Sequence, residues 1–134
     1  MARSVKAQAA PGRVFKTDYF AKLAKKAGIA DKELCEANAE VRKGQCDDLG
    51  GGVFKKRLNK NLHRGLVLSG RSHWFWVYLF AKKDRDNIEP DDLVGFRTLA
   101  KDYESLTKDK LKELVDLNKF MEICNELEEP KVQK

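Results

Sequence analysis

Seven consecutive residues, Trp74-Phe75-Trp76-Val77-Tyr78-Leu79-Phe80, carry no charge and are all aromatic or aliphatic. The run is far shorter than the roughly 18 apolar residues a membrane span needs. It is rich in the side chains that suit a pleated surface, so it predicts a β-strand. Its apolar residues fall on both faces, and a strand of that kind needs cover on both sides. The chain is therefore expected to build a sheet with this strand at its centre.

Upstream the period is helical. Thr17 or Asp18 can cap a helix carrying Tyr19, Phe20, Leu23, Ala24 and Ala27, which Gly28 ends. Asp31 can cap a second, with Leu34, Ala37 and Val41 as its stripe and Gly44 beyond it. The spacing predicts a helical hairpin over 17–27 and 31–43. After Gly50-Gly51-Gly52 the period changes. Residues 53–58 and 63–68 are expected strands, joined by a turn over 59–62, and Ser69 to Ser72 is expected to turn into the central run. Pro90 then opens a helix with Leu93, Phe96, Leu99, Ala100 and Tyr103 as its buried stripe. Thr107 caps another, with Leu111, Leu114, Val115, Asn118 and Met121 on one side.

The expected fold class is α+β. A helical hairpin is followed by a three-stranded antiparallel sheet and by C-terminal helices, with the helices on one face or at the edges. At 134 residues the chain suits one domain. Residues 1–13, which lack a secretory h-region, are expected to be a disordered extension, 14–125 a single domain, and 126–134 a charged flexible tail. The three cysteines, Cys35, Cys46 and Cys124, are odd in number and show no metal-ligand spacing. They are expected to be free thiols in a reducing cytosol, with no metal bound.

The net charge of +6 is unevenly spread. Residues 1–88 hold 19 Lys/Arg against 9 Asp/Glu, whereas 89–134 hold 8 against 12. From Val53 to Arg85 there are nine basic residues and one acid, Asp84. A positive field so concentrated attracts polyanions, although a solvated basic surface has the same composition. On the first strand, alternation places Lys55 and Arg57 on the face opposite Phe54 and Leu58. Lys56 then falls among the core residues, where only its stem could be buried. Arg64 opens the second strand, and Lys82, Lys83 and Arg85 follow the third. Lys55, Arg57, Arg64, Lys83 and Arg85 form a candidate constellation, with His63 and His73 nearby.

Such a cluster suits RNA cleavage by the RNA's own 2′-hydroxyl. That reaction needs a base for the 2′ proton, positive charge on the phosphorane and an acid for the 5′ oxygen. Arginine contacts phosphate in a bidentate way and stays charged. A lysine crowded by cations, or a histidine, can move protons. His63 and His73 also read as ordinary turn or surface residues, and Trp74 and Trp76 as sheet core before RNA-stacking platforms. No phosphate-binding loop, dinucleotide fingerprint, nucleophile elbow or metal set is present in the sequence.

Two segments resemble a known family. Gly50-Gly51-Gly52-Val53-Phe54-Lys55-Lys56-Arg57-Leu58 and Leu79-Phe80-Ala81-Lys82-Lys83-Asp84-Arg85-Asp86-Asn87-Ile88 are similar to a RelE/HigB-like branch of the RelE/ParE toxin superfamily. Ala30-Asp31-Lys32-Glu33-Leu34-Cys35-Glu36-Ala37 and Leu99-Ala100-Lys101 are similar too, so the likeness covers about residues 14–115. The resemblance implies a microbial-RNase-like α+β fold, cleavage of messenger RNA on the ribosome without a metal or other cofactor, and a cytoplasmic setting. It also implies a cognate antitoxin, often of helix-turn-helix type. The family's catalytic basic positions carry over as Lys55, Arg57, Arg64 and Lys83. Lys56, Lys60, His63, Arg71, His73, Lys82 and Arg85 are then expected to contact RNA or the ribosome. Two departures stand out. Glu89 occupies the position nearest to the family's tyrosine, and Asn59-Lys60-Asn61-Leu62-His63 replaces a loop rich in glycine and lysine. ParE-like members inhibit gyrase without cutting RNA, and a non-catalytic RNA- or ribosome-binding module would show the same charge pattern, so fold alone leaves the target open.

Overall fold

The computed structural model describes residues 12–70, 73–85 and 87–124. Their order is β1 (Arg13–Thr17), α1 (Asp18–Ala27), α2 (Asp31–Arg42), β2 (Asp47–Asp48), β3 (Val53–Leu58), β4 (His63–Gly70), β5 (His73–Ala81), α3 (Pro90–Glu104), α4 (Lys108–Asp116) and β6 (Phe120–Ile123). The strands form one sheet in the order β2-β3-β4-β5-β1-β6. The β3-β4-β5 meander is antiparallel, as expected. β1 joins it parallel to β5, and β6 pairs antiparallel to β1.

The sheet therefore has six described strands instead of three, and β1 precedes the helical hairpin. The helices are not segregated to one face. α1 and α2 pack with Leu58, Val67, Trp76 and Leu79 on one side of the sheet. Ala100 of α3 and Leu111 of α4 pack with Val53, Leu66, Phe75 and Phe80 on the other. β5 is thus covered on both faces, as its composition demands. Trp76 is fully buried, with its ring 5.8 Å from that of Phe20, so it is core as its apolar neighbours suggested.

Capping chemistry places the helices. Thr17 Oγ1 accepts from the Phe20 amide at 3.0 Å, Gly28 closes α1 at φ +75°, and Thr107 Oγ1 accepts from the Lys110 amide at 3.0 Å. Pro90 takes the first turn of α3, where its missing N–H costs nothing. α4 stops at Asp116, however. Met121, expected on its apolar stripe, lies in β6 opposite Lys16. Of the residues expected to turn, Ser69 and Gly70 instead pair with β5, and Arg71 and Ser72 lie outside the described residues.

Gly65 in β4 is dictated by packing. A Cβ there would come within 2.7 Å of Leu58 Cδ1 and 2.9 Å of the Trp76 ring, closer than a side chain can sit.

The cysteines differ from expectation. Cys35 of α2 and Cys124, just after β6, form a disulfide with Cα atoms 5.4 Å apart, and Cys46 is the free thiol. Sequence spacing could not show this, because the pair is 89 residues apart and meets only when β6 folds back beside β1.

Candidate nucleic-acid interface

The alternation along β3 sends Val53, Lys55 and Arg57 toward the α3/α4 side and Phe54, Lys56 and Leu58 toward the hairpin. Arg57 lies directly opposite Arg64 on β4, and Arg64 lies opposite Phe80 on β5. Three neighbouring strands thus present Arg57, Arg64 and the Phe80 ring on one face at the end of the sheet. The Arg85 guanidinium sits over that ring, 5.9 Å from its centroid.

Arg64 is 8% exposed. Its Nη1 donates to the carbonyls of Asn61 and His63, each at 3.1 Å, and no carboxylate among the described residues pairs with it. The positive φ values of Asn59, Lys60 and Asn61 curl the β3-β4 turn so that its carbonyls meet this guanidinium. Arg57 is exposed and makes no ion pair among the described residues. Lys55 Nζ donates to Asn87 Oδ1 at 3.0 Å and lies 3.5 Å from Asp47 Oδ2. In this arrangement Lys55 is a hydrogen-bond donor.

β2 pairs with β3 only as far as Lys55 and Phe54, which leaves the rest of the β3 edge open. A cavity of about 200 Å³ lies there, lined by Lys55, Arg57 and Arg64 together with Gln45, Cys46 and Asp47. Burial pushes the Cys46 thiol above its ordinary pKa, while Lys56 pulls it back in part. Lys56, unexplained on its core-facing position, reaches back to α2. Its Nζ pairs with Glu40 at 2.8 Å and donates to the Gln45 carbonyl at 2.9 Å.

The remaining basic residues lie outside that cavity, although His63 and Lys26 share a further recess with Phe80 and Arg85. Lys60, His63, Lys82 and Lys83 line a second recess of about 730 Å³ with Lys26 of α1. His63 lies opposite Leu58, a residue of the hairpin-side core, and its Nδ1 is 3.1 Å from the side-chain Nδ2 of Asn59. Lys83 therefore opens onto a different recess from Arg57 and Arg64, and Arg85 is the basic residue after β5 that reaches the Phe80 ring beside Arg64. His73 is also remote. It pairs with Gly70, six residues along β4 from Arg64, or roughly 20 Å at strand rise, and its ring packs on Phe15. Arg71 lies outside the described residues. Glu89 is exposed at the start of α3 and caps it with no side-chain bond. Sequence reasoning missed Lys26, Asp47 and Asn87. Asp47 needed the two-residue β2 to be seen, and Asn87 needed the path of the chain after β5.

Tyr103, packed between Phe75 and Phe120, has its phenol pushed up to about 12 by burial and by Asp18 and Asp102, so it stays protonated near neutrality and is no base there. Among the described residues no group of three or more His, Cys, Asp or Glu is placed to hold a metal ion, and no helix is long and apolar enough to cross a membrane.

The fold is a small mixed α/β domain with Arg57 and Arg64, neither of them ion-paired among the described residues, at one end of an antiparallel meander. The family model described as the RelE toxin of the RelE/RelB toxin–antitoxin system matches residues 12–123, and the chain belongs to that family. Membership implies a cognate antitoxin as partner. No curated protein and no solved structure matches the chain.

Proposed function

We propose that this chain is the toxin of a type II pair and cuts messenger RNA on the translating ribosome, in the cytoplasm, under control of a helix-turn-helix antitoxin. The observation that carries this reading is Arg64. It is a buried guanidinium fixed by two backbone carbonyls, without a carboxylate, facing Arg57 across the strands. A cation held in this way meets a phosphate with little reorganisation.

In the proposed reaction Arg57 and Arg64 hold the scissile phosphate, and Lys55 adds a third donor. The 2′-oxygen attacks phosphorus, losing its proton to a base. The bond from phosphorus to the 5′ oxygen breaks, and that oxygen takes up a proton. The products are a 2′,3′-cyclic phosphate and a 5′-hydroxyl, and no metal is required. Lys83 stays in the proposed site as a residue that can approach RNA from the neighbouring recess, with Lys60, His63 and Lys82 beside it; Lys56 and Arg85 are further contacts. His73, at the start of β5, lies too far from Arg64 to take part in the same step. Replacing the 2′-hydroxyl at the cut position by hydrogen should abolish cleavage while RNA binding persists. Cleavage that survives the 2′-deoxy substitution would contradict the mechanism.

A further inference from the structure

The side of the sheet that carries Arg64 also carries an unfilled groove of about 920 Å³. It lies between α3, α4, the start of α1 and the part of β5 beyond the end of β1. Its floor is aromatic. Tyr19 is 54% exposed and stacks on Tyr78 with ring planes 4° apart, and Tyr78 lies 5.8 Å from Phe96. A concave groove of this volume with an aromatic floor can seat apolar side chains of a partner.

The rim decides what kind of partner fits. Asp18, Asp91 and Asp92 line it, with Lys119 as the one cation among the described lining residues. In a chain of net charge +6 this is a local reversal of sign. It repels the phosphates of RNA and favours lysine or arginine. The ten residues after Cys124 hold Glu126, Glu128 and Glu129 against Lys131 and Lys134, so they too are acidic on balance.

The groove also adjoins the arginines. Tyr78 is in register with Leu66, and two residues on, roughly 7 Å along the strand, Phe80 is in register with Arg64. We infer that the antitoxin docks in this groove through a segment whose apolar side chains cover Tyr19, Tyr78 and Phe96 and whose flanking basic residues meet Asp18, Asp91 and Asp92. A segment seated there and continuing past Phe80 covers Arg64 and excludes RNA. The inference rests on the antitoxin reading and adds its surface, its chemistry and its way of inhibiting.

The test uses as probe the antitoxin selected as a gene product that restores growth to cells expressing the full chain. Its affinity is measured by titration calorimetry for the native protein, for D91K/D92K and for Tyr19→Ala. All three side chains are exposed, so these changes leave the core intact. Each variant should lose at least tenfold in antitoxin affinity, while D91K/D92K still cuts messenger RNA within twofold of the native rate. Antitoxin affinities equal to native in both variants would overturn the docking surface and leave the toxin reading standing. Unchanged antitoxin affinity with loss of binding to a 12-nucleotide single-stranded RNA in Tyr19→Ala would assign the groove to RNA and overturn the inference as well. Failure to select any neutralising partner, from a library shown to contain the gene's own neighbours, would overturn the antitoxin reading and the surface with it.

Discussion

Arg64 does two jobs that a substitution separates. It satisfies the carbonyls of Asn61 and His63, and it offers its remaining N–H groups to the open cavity beside β3. Arg64→Ala leaves two carbonyls without their donor and should cost roughly 1–3 kcal/mol of stability, read from urea unfolding. Arg64→Lys keeps the charge but loses the planar fork, and should recover stability better than cleavage. A loss of the order of 10²–10³ in cleavage rate is expected for Arg64→Ala. Tyr103 gives an independent check on the core around α3. Its phenol ionises near 12 in the folded chain against about 10 when unfolded, so the unfolded chain sheds its proton first. The stability that Tyr103 contributes is present below pH 10 and is lost as pH rises toward 12. Tyr103→Phe should remove the last step of the ultraviolet tyrosine titration and flatten that alkaline decline. The shared face of Lys55 and Arg57, and the nearness of Arg64 across the turn, were legible from alternation and strand order. The division between Arg85 and Lys83 was not, because it depends on how the turn after β5 leaves the sheet.

At the scale of elements, the meander and the four described helices were readable from their long periods; Thr17 and Thr107 cap α1 and α4 as expected, whereas Asp31, expected as a cap, is the first residue of α2 behind Ala30. β3 runs over the residues that its pattern marks, and α1 starts where Thr17 caps it. β1 and β6 were missed for a physical reason. Each is short, five and four residues, and their pairing partners lie far away in the chain, so neither carries a local signal of its own. The helical period from Leu111 to Met121 ran on through a positive-φ Asn118, where the backbone leaves the helix. The β4-β5 contact supplies a prediction. Gly65→Ala forces a methyl group against Trp76 and Leu58, and should destabilise the protein by about 1–3 kcal/mol. Thermal unfolding checks it; a neutral result would mean that β4 and β5 pack more loosely than the geometry shows.

For the whole molecule, charge and covalent closure matter most. Arg57, Lys60, Arg64, Lys82, Lys83 and Arg85 lie at the end of the sheet where β3, β4 and β5 meet their turns, and acids from α1 and α3 rim the groove beside it. One domain thus shows a polyanion-seeking surface and a cation-seeking one on the same side of its sheet. The Cys35–Cys124 disulfide closes a loop spanning 89 residues and ties the last strand to α2. In the chain-entropy model such a closure stabilises by about 4–5 kcal/mol. Reduction, or Cys124→Ser, should lower the urea midpoint accordingly, whereas a midpoint unmoved by dithiothreitol would show that the bridge adds nothing in solution.

The central claim is that Arg64 belongs to a site that cuts messenger RNA on ribosomes. End-mapping of a reporter messenger RNA in a cell-free translation reaction, with the native protein and with Arg64→Ala at matched folded concentration, tests it most directly. The account predicts new internal 5′ ends that require ribosomes and disappear in the variant. Intact RNA with translation continuing in the presence of folded native protein would contradict it and turn attention to gyrase or to RNA binding without cleavage.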